Sequence, residues 1–305
     1  MKAIEVTHLT CMYGRFTVVH DISFSVRKGS FFGFLGPNGA GKTTTIRSLT
    51  GVLTPSAGLI RIQGIDILSQ PLQAKMKMGV IPESSTVYGD LTAEQNMHLA
   101  GKFYGLSSAV REQNTREILT RLGLYERRSD LVRHFSKGLR QRVSIACAII
   151  HGPEVLIVDE PTSGLDVQSR RLVIDTLRQL NQEGTTIFLT THNIEEANQL
   201  CDTVCIIQAG KIIATGSPTE LKQMFETTRS VTVSFNKVVP KTALIWGNIT
   251  RMEQTGEGWR LYTDEPDAVV KGISDFAKQE NLTIHSITTT GPSLEEVFVR
   301  LTEDT

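Results

Sequence analysis

Two short runs, EVLIVDE (154–160) and TTIFLTT (185–191), are apolar through their middles and rich in β-branched residues. They are too short for helices and predict strands buried on both faces. Between them, SRRLVIDTLRQLNQEG (169–184) sets Val173, Leu177 and Leu180 on one helical face and stops at Gly184. Strand, helix, strand in this order predicts a right-handed parallel unit, so the fold class is α/β. Residues 2–35 read as strands with turns at Tyr13-Gly14 and Lys28-Gly29, and from about 36 the pattern becomes strand, helix, strand.

Residues 92–122 read as helical. Met97, Ala100, Phe103 and Tyr104 share a face, and the local-core reading of that stripe is preferred. The pattern changes near 228. VTVSF (231–235) is followed by two strand-like runs joined across Thr255-Gly256-Glu257-Gly258. A helix with Val269, Ile273, Phe276 and Ala277 on one face comes next. LTIHSITTT (282–290) then leads to a helix opened by the capping box Ser293-Leu294-Glu295-Glu296. This predicts a small α+β domain over 228–305, behind a larger domain over 1–227 that carries a helical subdomain at about 84–153.

Composition narrows the function. The chain has 305 residues, and Lys plus Arg equals Asp plus Glu at 32 each, which argues against a protein built to coat nucleic acid. The four cysteines, Cys11, Cys147, Cys201 and Cys205, make no disulfide framework and predict a reducing compartment. Cys201 and Cys205 read as buried thiols rather than half of a metal site. Met1 runs straight into the strand-like KAIEVTHLT, so no signal peptide is expected. No apolar stretch approaches the ~20 residues that span a bilayer. Any membrane crossing is expected from another chain.

GPNGAGKT (36–43) fits G-x-x-x-x-G-K-[ST], with the strand SFFGFL before it and the helix TTTIRSL after it. Such a loop wraps phosphates with backbone N–H groups at a helix N-terminus. Lys42 is expected to reach the β- and γ-phosphates, and the Thr43 hydroxyl to ligate Mg²⁺. VLIVDE ends in Asp159, placed to hold Mg²⁺ at the carboxyl edge of the sheet, and Glu160, placed to orient and deprotonate a water. His192 ends TIFLTTH. On an adjacent strand it would converge with the two acids on one γ-phosphate; alone, it reads as structural as readily as functional.

FSKGLRQR (135–142) decides among P-loop proteins. With it the chain resembles the ATP-binding subunits of ABC transporters, collinearly over about residues 1–225. The resemblance makes GPNGAGKTTT the Walker A segment, so that Gly36, Pro37, Asn38, Gly39, Ala40, Gly41, Lys42, Thr43 and Thr44 bind nucleotide. It makes VLIVDEP the Walker B segment and SGLD (163–166) the D-loop, with Asp166 among the catalytic residues. TTH then carries the switch histidine, His192, and Tyr13 stacks on adenine. Ser136 and Gly138 take the Ser and second Gly places of the L-S-G-G-Q signature. In this family two subunits pack head to tail, so these two residues serve the partner's nucleotide. An ordinary N-cap role for Ser136 is compatible with that. The implied fold is a P-loop (ABC ATPase) core with a helical subdomain and a small C-terminal α+β domain.

The departures from the family pattern are specific. Lys137 replaces the first signature glycine, Leu139 the glutamine and Phe135 the leucine. Lys137 either adds charge near phosphates or points to solvent. Glu83 in GVIPE stands where the family often has a glutamine that touches Mg²⁺ and senses the membrane partner. A carboxylate still ligates Mg²⁺, but it also carries negative charge towards the γ-phosphate. The C-terminal run PSLEEVF resembles the extension of exporter subunits, and a dimer-stabilising or regulatory role is expected for it.

The implied function is an ATPase at the cytoplasmic face of the cell membrane. It would drive export through a separate permease, with ATP and Mg²⁺, as an ATP-dependent homodimer or a heterodimer with a paralogue. The permease is expected to dock beside ESSTVYGDLTAEQ (83–95), unless Val87 and Tyr88 pack back onto helix 92–105. The alternative is a soluble ATPase of the same superfamily acting on ribosome or DNA. Translation-type members carry two cassettes, whereas one Walker A occurs here. Chromosome-type members insert long coiled coils, whereas about 115 residues separate Thr43 from Asp159. A small-molecule P-loop kinase would have no use for the signature, D-loop and switch histidine together.

Overall fold

The computed structural model describes residues 1–84, 86–224, 229–244, 249–256, 258–291 and 293–303. The chain divides into two compact units, Met1–Ser217 and Pro218–Thr305. The expected boundary at 227/228 falls on residues outside those described, as do Ser85 in the expected docking loop, Glu257 in the expected turn and Pro292 in PSLEEVF.

In the first unit the order begins β1 (Lys2–Tyr13), β2 (Phe16–Arg27), β3 (Phe31–Leu35), α1 (Lys42–Leu49), β4 (Ala57–Ile62), β5 (Ile65–Asp66), α2 (Pro71–Lys75) and β6 (Met78–Ile81). Then come α3 (Ala93–Phe103), α4 (Ser108–Arg121), α5 (Lys137–Ile149), β7 (Val155–Asp159), α6 (Val167–Gln182), β8 (Thr186–Thr191), α7 (Ile194–Leu200), β9 (Thr203–Gln208) and β10 (Lys211–Gly216). β2, β1, β4 and β5 form one antiparallel sheet in that order, and the second sheet runs β10-β9-β3-β8-β7-β6. β9, β3, β8, β7 and β6 are parallel, and β10 closes one edge antiparallel to β9.

β3, β7 and β8 are buried along their whole length, as continuous apolar strands must be. Phe24 of β2 stacks on Phe32 of β3 at 5.7 Å and on Phe188 of β8 at 5.9 Å. These aromatic pairs join the two sheets, each adding about 0.5–1.5 kcal/mol beyond area burial. Ile46 and Leu49 of α1 enter the same core. The carboxyl ends of β3, β8 and β7 therefore lie side by side on a rigid base.

The helical pattern expected over 92–122 resolves into two helices. Gly105 takes φ +70 and stops α3, and the Ser107 hydroxyl accepts from Val110 N–H to start α4. The preferred core reading of the apolar stripe is corrected in part. Met97 is fully buried, but Phe103 is 72% exposed, because nothing described packs over the end of α3 on that side.

The second unit holds α8 (Pro218–Gln223), β11 (Arg229–Phe235), β12 (Ile249–Thr255), β13 (Gly258–Thr263), α9 (Pro266–Gln279), β14 (Ile284–Thr290) and α10 (Leu294–Glu303). Its antiparallel sheet runs β12-β13-β11-β14. Val269, Ile273 and Ala277 of α9 pack against Val231, Val233 and Leu261 of the sheet. The capping box forms as expected: Glu296 N–H donates to Ser293 Oγ at 3.1 Å, and Ser293 N–H to Glu296 Oε2 at 3.1 Å.

Candidate active site

The loop between β3 and α1 is built on close backbone approach. A β-carbon on Gly36 would lie 2.4 Å from the Ile207 carbonyl, so no larger residue fits there. Gly41 caps α1 at φ +107, a conformation that other residues rarely adopt. Ala40 N–H donates to the Pro37 carbonyl at 3.2 Å and closes the turn. The result is an open cleft of about 310 Å³. Pro37, Asn38, Gly39, Gly41, Lys42, Thr43 and Thr44 line one side, and Glu83, Glu160 and His192 line it from other segments. Val18 and Ser163 also line it; sequence reasoning gave Val18 no role and placed Ser163 only within the D-loop segment SGLD.

Lys42 is 7% exposed. Its ammonium donates to the Gly36 carbonyl at 2.7 Å and lies 3.7 Å from Glu160 Oε1. The other oxygen of Glu160 lies 2.7 Å from His192 Nδ1. A carboxylate only accepts, so Nδ1–H is the donor and Nε2 is the remaining nitrogen of His192. Glu160 holds φ +46, a left-handed conformation that costs an ordinary residue about 1–3 kcal/mol. The backbone fixes it there: Glu160 N–H donates to the Thr190 carbonyl at 3.0 Å.

Asp159 is 4% exposed and accepts from the Thr190 hydroxyl at 2.5 Å. Burial pushes its carboxyl above the usual aspartate range, and the negative charge of Glu83 adds to that. The register of β7 on β8 pairs Asp159 with Thr190 and so sets Asp159-Glu160 beside Thr190-Thr191-His192. Among the described residues no group of three or more His, Cys, Asp or Glu side chains gathers as a metal cage. A hydroxyl and two carboxylates, from Thr43, Asp159 and Glu83, are nonetheless hard oxygen donors of the kind Mg²⁺ takes when phosphates and waters complete its shell.

Ser136 and Gly138 are not among the residues lining this cleft. Ser136 is exposed and caps α5, its hydroxyl accepting from Leu139 N–H at 3.3 Å. Gly138 is buried against the start of α6, where a β-carbon would lie 2.1 Å from Ser169 Oγ. Asp166 caps α6 and accepts from Ser169 N–H at 2.9 Å and Ser169 Oγ–H at 2.8 Å, bonds that hold its carboxyl below the usual range. Lys137 is exposed, and its ammonium lies against Gly164, where a β-carbon would be 2.5 Å away. Tyr13, 42% exposed, also stands outside the cleft lining, and its hydroxyl accepts from Arg47 Nη1 at 3.3 Å.

A second groove, about 260 Å³, lies between α3, α5 and the segment before α3. Val87, Tyr88, Leu99, Phe103, Tyr104 and Cys147 are among its lining. Asn96, 3% exposed, ties the Tyr88 backbone at both ends: Tyr88 N–H donates to its Oδ1 at 2.8 Å, and its Nδ2 donates to the Tyr88 carbonyl at 3.0 Å. Tyr88 is nonetheless 56% exposed. Among the described residues no helix is long and apolar enough to cross a membrane.

A family model described as "ABC transporter" matches residues 19–163, and one described as "ATP-binding protein DrrA1-3-like, C-terminal domain" matches 216–302. The linearmycin resistance ATP-binding protein LnrL of Bacillus subtilis is 36% identical over 304 residues, covering 98% of each chain. The Nod factor export ATP-binding protein I of Ralstonia nicotianae is 37% identical over 299 residues, covering 98% of this chain and 93% of its own. A solved ATP-binding subunit of an ABC transporter superposes with a TM-score of 0.68 at 34% identity, over 73% of this chain and 93% of that one. An ATP-binding cassette solved as a dimer with ADP and Pi shares the fold, with a TM-score of 0.65 at 23% identity over 70% and 98% of the two chains.

Proposed function

The chain belongs to the ATP-binding subunits of ABC transporters and is an ATPase, and from that membership we propose that it powers export through a separate membrane permease at the cytoplasmic face of the membrane. Two relatives named for linearmycin resistance and Nod factor export, similar over nearly the whole chain, support export over uptake. The observation that carries the catalytic reading is the meeting of Lys42, at the start of α1, with Glu160 and His192, just past the ends of β7 and β8, with 3.7 Å from Lys42 to Glu160 and 2.7 Å from Glu160 to His192.

In this reading Gly36 to Thr44 wrap the phosphates, and Lys42 leaves its backbone carbonyls to bind the β- and γ-phosphates. Thr43, Asp159 and Glu83 would hold Mg²⁺, which neutralises charge on the phosphate oxygens. Glu160 Oε1 orients the attacking water and takes its proton. His192 is held by Glu160 through Nδ1–H, and it donates to the γ-phosphate through Nε2–H when the ring carries both protons. Val18 and Ser163 shape the walls of the cleft.

Ser136 and Gly138 stand outside their own chain's cleft, which supports their use by a second subunit's nucleotide. A dimer formed with ATP, either of two copies or with a paralogue, follows from this reading, with Asp166 at the junction. The groove beneath Tyr88 and Phe103 suits an apolar helix of the permease. Along the chain the ATPase domain comes first and the accessory domain of residues 228–305 follows, with α8 (Pro218–Gln223), which groups with the second unit, leading into it. The test is direct. Purified chain should hydrolyse ATP with Mg²⁺, Glu160→Gln should bind ATP without turnover, and tagged chain should recover a membrane-spanning protein from membranes. Recovery of ribosomes or DNA in place of a membrane protein would overturn the transport reading.

A further inference from the structure

Glu196 is a carboxylate on α7 that the catalytic reading does not use. It is 5% exposed. Its Oε1 accepts from the Thr162 hydroxyl at 2.7 Å and from Asn193 Nδ2 at 3.3 Å, and its Oε2 accepts from the Thr191 hydroxyl at 3.3 Å. Thr162 stands two residues after Glu160, and Thr191 immediately precedes His192. One buried carboxylate thus grips both chain segments that carry the Glu160–His192 pair.

We propose that Glu196 is a positioning residue of the ATPase site, holding Glu160 and His192 in register by clamping Thr162 and Thr191. The proposal rests on the reading of that pair as catalytic.

Four features carry it. A buried carboxylate is costly unless hydrogen-bonded, and simple packing at this position would be served by an apolar side chain. The hydroxyls it binds are not on its own helix, so its bonds connect separate segments. Glu160 also sits in a left-handed conformation at φ +46, and such a residue keeps its geometry only where its surroundings impose it. Three consecutive residues at the end of β8 each hold a different acid. Thr190 bonds Asp159, Thr191 bonds Glu196, and His192 bonds Glu160. Thr191 Oγ also accepts from Asn193 N–H at 2.9 Å, which ties the turn into α7 to the same network.

The experiment measures Mg-ATP turnover and ATP affinity of the full chain for Glu196→Ala, Glu196→Gln, His192→Ala, Glu160→Gln and the double variant Glu196→Ala/His192→Ala. Glu196→Ala should lower kcat about 10–100-fold, the scale of a small displacement of reacting groups, with ATP affinity near the parent value. Glu196→Gln should restore most of the rate, since its carbonyl oxygen accepts from Thr162 and its amide donates to Thr191. On the His192→Ala background Glu196→Ala should add little further loss, because both changes act on one unit. Equal losses on both backgrounds would overturn the proposal while leaving the site reading intact. So would a Glu196→Gln variant as slow as Glu196→Ala, or a Glu196→Ala variant at the parental rate. Parental rates for both Glu160→Gln and His192→Ala would overturn the site reading, and the positioning role with it.

Discussion

Oε2 of Glu160 lies 2.7 Å from Nδ1 of His192 across the ends of β7 and β8. This contact fixes which oxygen of Glu160 faces the imidazole and leaves Oε1 on the side of Lys42. Glu160→Gln keeps an oxygen for His192 but cannot take a proton. Its kcat should fall about 10²–10⁴-fold, with nucleotide affinity unchanged. Steady-state ATPase assays beside a fluorescent-nucleotide titration check both halves. A variant that hydrolyses ATP at the parental rate would remove Glu160 from the role of base.

Lys42→Ala should fail at the earlier step. A charge-assisted phosphate contact contributes roughly 1.5–3 kcal/mol, so ATP affinity should weaken at least about tenfold. The same titration reads this. Unaltered affinity would mean that Lys42 stays on the Gly36 carbonyl when nucleotide binds.

Ser136, outside its own cleft, predicts nucleotide-dependent pairing. Glu160→Gln, unable to turn over, should sediment as a monomer without ATP and as a dimer with Mg-ATP, and Ser136→Arg on that background should stay monomeric. A dimer indifferent to ATP would assign the contact to another part of the chain.

Gly138 predicts a packing defect that a second change relieves. An alanine there would drive its β-carbon into Ser169, at 2.1 Å from Oγ and 2.6 Å from Cβ. Overpacking of this kind costs about 1–3 kcal/mol. Gly138→Ala should lower the melting temperature, and adding Ser169→Gly should recover part of it, the rest being offset by loss of the Ser169 hydroxyl bond to Asp166. The double variant melting as low as Gly138→Ala would place the strain elsewhere.

His151 gives a pH dependence. Its ring stacks on Tyr104 with centroids 3.5 Å apart, and burial pushes its pKa down to about 4. A base with a depressed folded pKa binds its proton more readily when unfolded. Stability is therefore full above about pH 6.5 and is lost as pH falls towards 4, by about 1–2 kcal/mol after allowance for partial exposure. Urea melts at pH 7 and pH 5 should show the loss in the parent and less of it in His151→Phe. An equal loss in both would assign the acid sensitivity to other groups.

Tyr88 tests the docking groove. Its backbone is tied by Asn96 while the residue is 56% exposed, so Tyr88→Ala should leave melting temperature and basal ATPase near the parent values. Recovery of the permease from membranes should fall. A large drop in melting temperature with the complex intact would return Tyr88 to the core.

The cleft was legible because its chemistry is contiguous. GPNGAGKT and VLIVDE each hold their working residues within one short run, so local backbone rules define them without tertiary information. The strands, the capping box at Ser293 and the α/β class followed from period and capping for the same reason. The fate of the stripe on α3 was not legible: Met97 and Phe103 have the same period, but one is buried and the other is 72% exposed. Periodicity defines a face, and only the neighbouring elements decide how far along the helix that face is covered.

By itself, the sequence determined the phosphate loop, the acidic strand end and the family to which their order belongs, since these depend on residues adjacent along the chain. The tertiary structure alone decided which groups meet across the sheet. The parallel register of β7 on β8 brings Thr190 to Asp159 and His192 to Glu160. The turn into α7 brings Glu196 onto Thr162, 34 positions away. Val18 and Ser163 join the cleft by the same route, and the packing of α5 on α6 leaves Ser136 and Gly138 outside it. Contacts of this kind depend on strand order and helix packing summed over the whole core, and no short run of residues encodes them.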